Sequence, residues 1–136
     1  MSRSRLCPVG GILLDAGCIL AFVVIGRARH AEAESVAGLA RTAWPFLAGL
    51  AASLLATRAW RRPAAIIPTG AGAWLGTVGI GMALRVVSGQ GTAAAFICVA
   101  LAFLGLFMLG WRLVARAMGP IRATSPHAQS GQARRE

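Results

Sequence analysis

The chain has 136 residues, of which 57% are hydrophobic and only 13% are charged, and its mean hydropathy is +0.66. Soluble domains carry about 25% charged residues, so the composition excludes an ordinary water-soluble domain and indicates a membrane protein. The net charge of +10 comes from 14 basic residues, all of them arginine, against four acidic ones. Because the arginines lie between apolar runs and do not line one face of an element, nucleic acid is not an expected partner.

Four apolar runs follow one another along the chain. They cover residues 9–25, 43–60, 64–87 and 92–114. Each is close to the roughly 20 residues that a helix needs to cross a bilayer, and none alternates with the period of a strand. We therefore predict an all-α fold, an antiparallel four-helix transmembrane bundle over residues 9–116 with the lipid bilayer as its surroundings. Residues 1–8 form a short N-terminus, and the polar tail 117–136 is predicted to be disordered.

The first run has an alternative interpretation as a secretory signal, because Arg3 and Arg5 precede it and "LDAGC" loosely resembles a lipoprotein cleavage site. Asp15 occupies a position where that site requires an aliphatic residue, and the apolar run continues past Cys18. A signal segment would end near its cleavage site. A membrane span is therefore the favoured interpretation.

The arginines also predict an orientation. Ten of them lie in the N-terminus, the second connection and the C-terminal region, whereas four lie in the first and third connections. Arginine favours the cytoplasmic side of a membrane. We expect a bacterial plasma-membrane protein with both termini in the cytoplasm.

Asp15 is the most informative single residue. It lies six residues after Val9, or about 9 Å along a helix, where an ionised carboxylate costs on the order of 2.5–3.5 kcal/mol and needs a partner or water. By depth, the candidate partners are Arg58, Arg112 and the hydroxyls of Ser53 and Thr57, with Arg85 less favoured. Asp15, Arg58 and Arg112 thus form a candidate intramembrane polar site, which serves either a transport path or only a tie between two helices.

A second group of charges is predicted at the opposite, outer end of the bundle. This candidate outer cationic cluster comprises Arg27, His30, Arg41 and Arg85, with Glu32 and Glu34 as nearby counter-charges. One interpretation is an anion-attracting entrance in which His30 titrates near neutral pH. The favoured one is a set of interface anchors, assisted by Trp44, with Trp111 in the same role at the inner end.

Small residues recur every four positions in two of the runs. The third run carries Gly72 and Gly76, and the second carries Gly49, Ser53 and Thr57. In lipid, small residues allow helix backbones to approach closely. We predict that the third span is the central, most tightly packed helix.

Signatures of enzymes are missing from the sequence. There is no GxSxG, HExxH or phosphate-binding loop, and Asp15 is the single carboxylate at membrane depth. The three cysteines show no CxxC spacing. We expect no enzymatic activity, no metal and no cofactor.

The chain resembles a family of small four-span bacterial membrane proteins, the domain of unknown function 3054. The segments that carry the resemblance are "LDAGCILAFVVIGRARH", "TAWPFLAGL", "RRPAAIIPTGAGAWLGTVGIGMALR" and "GQGTAAAFICVALAFLGLFMLGWR", over about residues 12–116. The positions that match the family's pattern are Asp15, Gly26, Arg27, His30, Trp44, Pro45, Gly81, Met82 and Arg85. The resemblance implies a four-span fold and no particular activity.

Two functions are compatible with these patterns. The first, slightly favoured because charges from several segments gather at two depths, is a small transporter or channel component for an ion or small solute. One four-helix chain leaves little room for a pore, so this function implies a homodimer or larger assembly. The alternative is a structural or accessory membrane protein that binds another membrane subunit or lipid.

Overall fold

The computed structural model describes residues 8–29 and 35–121, and this part of the chain is helical without any strand. The four long helices are α1 (Pro8–Arg29), α2 (Val36–Ala56), α3 (Ala71–Val87) and α4 (Ala94–Ile121). A short 3-10 helix, Ala59–Arg61, and a kinked turn, Ile66–Gly70, in which the backbone of Ile67 is extended, join α2 to α3. With that turn included, all four are long and apolar enough to cross a membrane. The protein is an all-α, multi-pass membrane protein.

The helices form an antiparallel bundle in which each packs against the next and α4 returns to α1. Side-chain contacts give the directions. Arg27, near the end of α1, donates to Thr42 near the start of α2, and Arg85, near the end of α3, lies over the Phe96 ring near the start of α4. Since α1 and α4 bound the described chain, its two ends lie at the same end of the bundle.

Phenylalanine rings fill the end of the core that lies towards the C-terminus of α1. The ring of Phe22 lies 5.8 Å from Phe46 and 5.6 Å from both Phe96 and Phe103, measured between centroids. Aromatic pairs at such separations stabilise beyond the area they bury. This cluster joins α1, α2 and α4.

The α2–α3 pair makes the most extensive helix contact in the described chain. At Gly49, an added Cβ would lie only 2.9 Å from the Thr77 carbonyl oxygen, and at Gly76 it would meet the Ser53 side chain. The two rows of small residues in the sequence therefore face each other, so the backbones of α2 and α3 come into direct contact.

The ends of several helices differ from the predicted spans. Helix α2 begins at Val36 rather than at residue 43, because the Ser35 hydroxyl accepts from the Gly38 amide at 3.0 Å and caps its first turn. It ends at Ala56, so residues 57–60 belong to the connection.

Helix α4 continues to Ile121 rather than ending near residue 114. Residues 117–121 are therefore helical, which corrects the prediction of disorder there. The alanine, arginine, leucine and methionine residues around Arg116 favour a helix as far as Met118, whereas Gly119 and Pro120 after them disfavour one. Residues 1–7 and the tail beyond 121 lie outside the described residues.

Candidate functional site

The candidate site is built around Asp15, which lies about 10 Å along α1 from its first residue, Pro8. Its side chain is fully buried and faces α4. The partner is Arg112 of α4, also buried, with 1% of its surface exposed. The structure thus places two opposite charges inside the bundle.

Asp15 and Arg112 form a two-pronged ion pair. The Arg112 Nη2 atom lies 2.6 Å from Asp15 Oδ2, and Nη1 lies 2.7 Å from Oδ1. This parallel arrangement matches the planar guanidinium to the carboxylate and is the strongest form of the contact. Each charge neutralises the other where water is excluded.

Further hydrogen bonds complete the pair. The Trp111 indole Nε1 donates to Asp15 Oδ1 at 2.8 Å. Arg112 Nη1 also donates to the Met108 carbonyl at 2.7 Å, and Nε donates to the Pro63 carbonyl at 3.2 Å. Buried charges are tolerated when such partners satisfy them. The cluster of Asp15, Trp111, Arg112 and Pro63, here named the inner clamp, joins α1, α4 and the α2–α3 connection.

Two glycines make room for the inner clamp. A Cβ added at Gly70 would lie 2.8 Å from Cδ of Arg112, and one added at Gly11 would lie 3.3 Å from the Trp111 ring. Larger side chains at either position would displace the arginine or the indole. The local sequence therefore permits close packing around the charges.

Chemically, the inner clamp suits holding helices together better than moving protons. Both oxygens of Asp15 accept hydrogen bonds from α4, two on Oδ1 and one on Oδ2, so most of the acceptor capacity of this buried carboxylate is used within the bundle. Trp111 differs from its predicted role as an interface anchor, since its indole N–H is directed at Asp15. Only the neighbouring position of Trp111 and Arg112 in the sequence hinted at this contact.

The other candidate partners of Asp15 are used elsewhere. The Ser53 hydroxyl donates to the Gly49 carbonyl at 2.7 Å, and the Thr57 hydroxyl donates to the Ser53 carbonyl at 2.8 Å. Arg58 is exposed and adopts a left-handed backbone conformation with φ of 49°. The structure therefore joins Asp15 to Arg112 and leaves Arg58 outside the inner clamp.

The outer cationic cluster is only partly within the described residues. Arg27 Nη1 donates to the Thr42 hydroxyl at 3.3 Å. Arg85 donates to the Gln90 side chain at 3.1 Å and to the Gly91 carbonyl at 3.2 Å, and its guanidinium lies 4.6 Å from the centroid of the Phe96 ring. Such stacking holds an arginine against an aromatic face.

Of the other members of that cluster and its counter-charges, Arg41 lies within the described residues. Arg41 belongs to α2 and is exposed, whereas the sequence placed it in the loop before that helix. His30, Glu32 and Glu34 lie outside the described residues. Arg27 and Arg85 are thus the members whose contacts define the end of the bundle opposite the inner clamp.

Comparison with known families decides the classification. A family described as a protein of unknown function, DUF3054, matches residues 12–115. The chain belongs to this family. No curated protein and no solved structure gives a significant match.

The DUF3054 match contains both charges of the inner clamp, Asp15 and Arg112, as well as Arg85 at the other end. Positions that carried the resemblance also have packing roles. Pro45 is buried, and a Cβ added at Gly81 would lie 2.7 Å from the Phe46 ring. In this DUF3054 protein, the positions that carried the resemblance therefore include Asp15 of the charged pair and residues of the tight helix contacts.

Proposed function

We propose that the protein is a structural or accessory membrane protein, a compact four-span unit that binds another membrane subunit or lipid. The observation that supports this most is the occupation of both Asp15 oxygens by donors of α4 in a buried contact. Intramembrane charges that serve transport face a water-filled cavity or a path. Here the carboxylate is used to hold helices together.

The proposal includes an orientation and no catalytic role. The arginine distribution supports an orientation with the inner clamp and both termini on the cytoplasmic side of a bacterial plasma membrane. Asp15 has no second carboxylate near it among the described residues, so the paired acid and base of many hydrolytic mechanisms is missing there. The partner in the membrane is a second copy of the chain or another subunit.

Reconstitution into vesicles tests this proposal. The purified protein is placed in liposomes that contain the pH dye pyranine, and proton entry is measured under a K⁺ gradient with valinomycin. We expect proton entry into liposomes that contain the wild type or Asp15→Asn to equal proton entry into empty liposomes. Proton flux in the wild type that Asp15→Asn removes would show that the carboxylate lies on a path and would refute the accessory role.

A small transporter or channel component is the second candidate, and one observation favours it. The Thr77 hydroxyl of α3 is fully buried and has no hydrogen-bond partner among the described residues. A polar atom left unpaired in the interior is costly unless water or a ligand reaches it. This function predicts that the wild type carries K⁺ or Cl⁻ across the membrane of the same vesicles and that Thr77→Val lowers this flux. Equal flux in liposomes with the wild type, with Thr77→Val and without protein counts against it.

A further inference from the structure

The connection between α2 and α3, residues 57–65, carries three arginines within five positions: Arg58, Arg61 and Arg62. We propose that this connection, here named the arginine turn, binds the phosphate groups of anionic phospholipids at one face of the membrane. This inference rests on the lipid-binding part of the proposed accessory role and names the lipid chemistry and the surface; the vesicle flux experiment tests the accessory role separately.

The arginine turn has to lie at a membrane surface. It directly follows Ala56, the last residue of α2, and directly precedes Ile66, the first residue of the third span. A connection between two antiparallel spans of about 20 residues each emerges at the level of the lipid headgroups. Its side chains therefore meet phosphates before they meet bulk water.

The cations of the arginine turn are available to a ligand. Arg58, Arg61 and Arg62 are all exposed, and none of their guanidinium groups has a hydrogen bond or an ion pair within residues 8–29 and 35–121. Arg112 offers the contrast, because its guanidinium is engaged by Asp15 and by two carbonyls. One turn further along α4, Arg116 is also exposed at this end of the bundle.

The backbone of the arginine turn is held in place. The Arg61 amide donates to the Arg58 carbonyl at 2.9 Å, and the Ala65 amide donates to the Arg62 carbonyl at 3.0 Å. Ala59 is buried against the bundle, and the Pro63 carbonyl accepts from Arg112. A fixed backbone loses little entropy when its side chains bind, so the guanidinium groups are presented from a prepared surface.

Trp60 favours lipid over other anionic partners. It lies between Arg58 and Arg61 and is 50% exposed. An indole is amphipathic and prefers the boundary between headgroups and acyl chains, while guanidinium groups pair with phosphate through two parallel hydrogen bonds. An acidic protein or a nucleic acid would reach the arginines but would not require an aromatic side chain at the lipid boundary.

The test measures binding of phosphatidylglycerol and phosphatidylcholine to the full chain in detergent by native mass spectrometry. The variant is Arg61→Gln with Arg62→Gln. Each arginine near an anionic surface contributes about fivefold in affinity, so we expect phosphatidylglycerol to bind the double variant about 25-fold more weakly. Phosphatidylcholine binding is expected to stay unchanged, and equal binding of the two lipids by the wild type would overturn the proposal.

A matched control removes the same charge elsewhere. Arg29 and Arg41 are exposed near the other end of the bundle, and Arg29→Gln with Arg41→Gln is expected to alter phosphatidylglycerol binding by less than about twofold. An equal loss in both double variants would mean general attraction to the net charge and would overturn a specific surface.

Two further arms complete the test. Arg61→Lys with Arg62→Lys keeps the charge and is expected to retain binding within about fivefold, so a loss in the glutamine variant through misfolding alone would appear as equal loss in both. Soluble glycerol phosphate is added as a competitor. Displacement of phosphatidylglycerol by this competitor at equal concentration would assign the arginines to a soluble phosphate ligand and overturn the lipid assignment.

Discussion

Arg112 is the largest fully buried side chain of the described residues, and its burial depends on Asp15. Two charges removed from water are costly, and their mutual attraction offsets that cost only when the geometry and the additional hydrogen bonds are good. Here the pair is two-pronged, and Trp111, Met108 and Pro63 supply the remaining partners. Removal of either charge therefore leaves the other buried without a counter-charge, and this unpaired charge destabilises the fold.

Replacement of Asp15 by alanine tests this dependence. Asp15→Ala leaves Arg112 buried without its counter-charge, and we expect a loss of about 3–5 kcal/mol in the free energy of unfolding. The double variant, Asp15→Leu with Arg112→Leu, removes both charges and is expected to lose less than the single variant. Unfolding by sodium dodecyl sulfate in mixed micelles measures both, and a single variant as stable as the wild type would contradict the account.

Trp111 gives a second residue-scale prediction. Trp111→Phe removes a hydrogen bond to a charged acceptor and is expected to cost about 1.5–3 kcal/mol, whereas Trp74→Phe removes one to the neutral Leu101 carbonyl and is expected to cost about 0.5–1.5 kcal/mol. The same unfolding titration compares them. A larger loss for Trp74→Phe would mean that ring packing dominates at both sites.

The inner clamp could be predicted only in part, because the sequence gives the depth of each residue along its helix. Rise per residue placed Arg112 and Arg58 within reach of Asp15, and the structure joins Asp15 to Arg112. Depth alone could not separate the two arginines, because the choice depends on how each helix is rotated and on the left-handed turn at Arg58. The Pro63 carbonyl was beyond prediction, since it depends on the path of a connection that has no periodic pattern.

At the scale of the helices, the contact between α2 and α3 determines how closely the bundle packs. The small residues at every fourth position predicted a tightly packed third span, and the structure has Gly76 against Ser53 and Gly49 against the backbone of α3. Helix ends were harder to predict, because Arg41 looked like a loop residue whereas it lies within α2. The length of an apolar run reflects the thickness of the membrane, whereas the cap formed by Ser35 determines where α2 begins.

Valine at Gly76 tests the α2–α3 contact. The added side chain would collide with Ser53, so Gly76→Val is expected to destabilise the protein by about 1–3 kcal/mol. Gly79 lies on the same helix with nothing within 4 Å of an added Cβ, which makes Gly79→Val a matched control that changes stability little. Thermal unfolding in detergent, followed by circular dichroism, compares them, and an equal effect of both substitutions would show that helix propensity rather than contact is responsible.

At the scale of the whole molecule, the antiparallel order of the four spans places successive connections on alternate sides of the membrane. The arginine turn shares its end of the bundle with the inner clamp, and the connection after α3, which begins with the exposed Ser88, lies at the opposite end. The number of spans and the alternation followed from the lengths of the apolar runs. The choice of side rests on arginine counts alone, so it requires a measurement in cells.

Labelling of single cysteines decides the orientation. In a background with Cys7, Cys18 and Cys98 replaced by serine or alanine, Arg62→Cys and Ser88→Cys are treated in intact bacterial cells with a maleimide that cannot cross the inner membrane. We expect label on Ser88→Cys only, and on both after the membrane is permeabilised, because arginine-rich connections stay in the cytoplasm. Label on both variants in intact cells would contradict the antiparallel bundle. Label on Arg62→Cys alone would keep the bundle, reverse its orientation, and move the arginine turn to the outer leaflet.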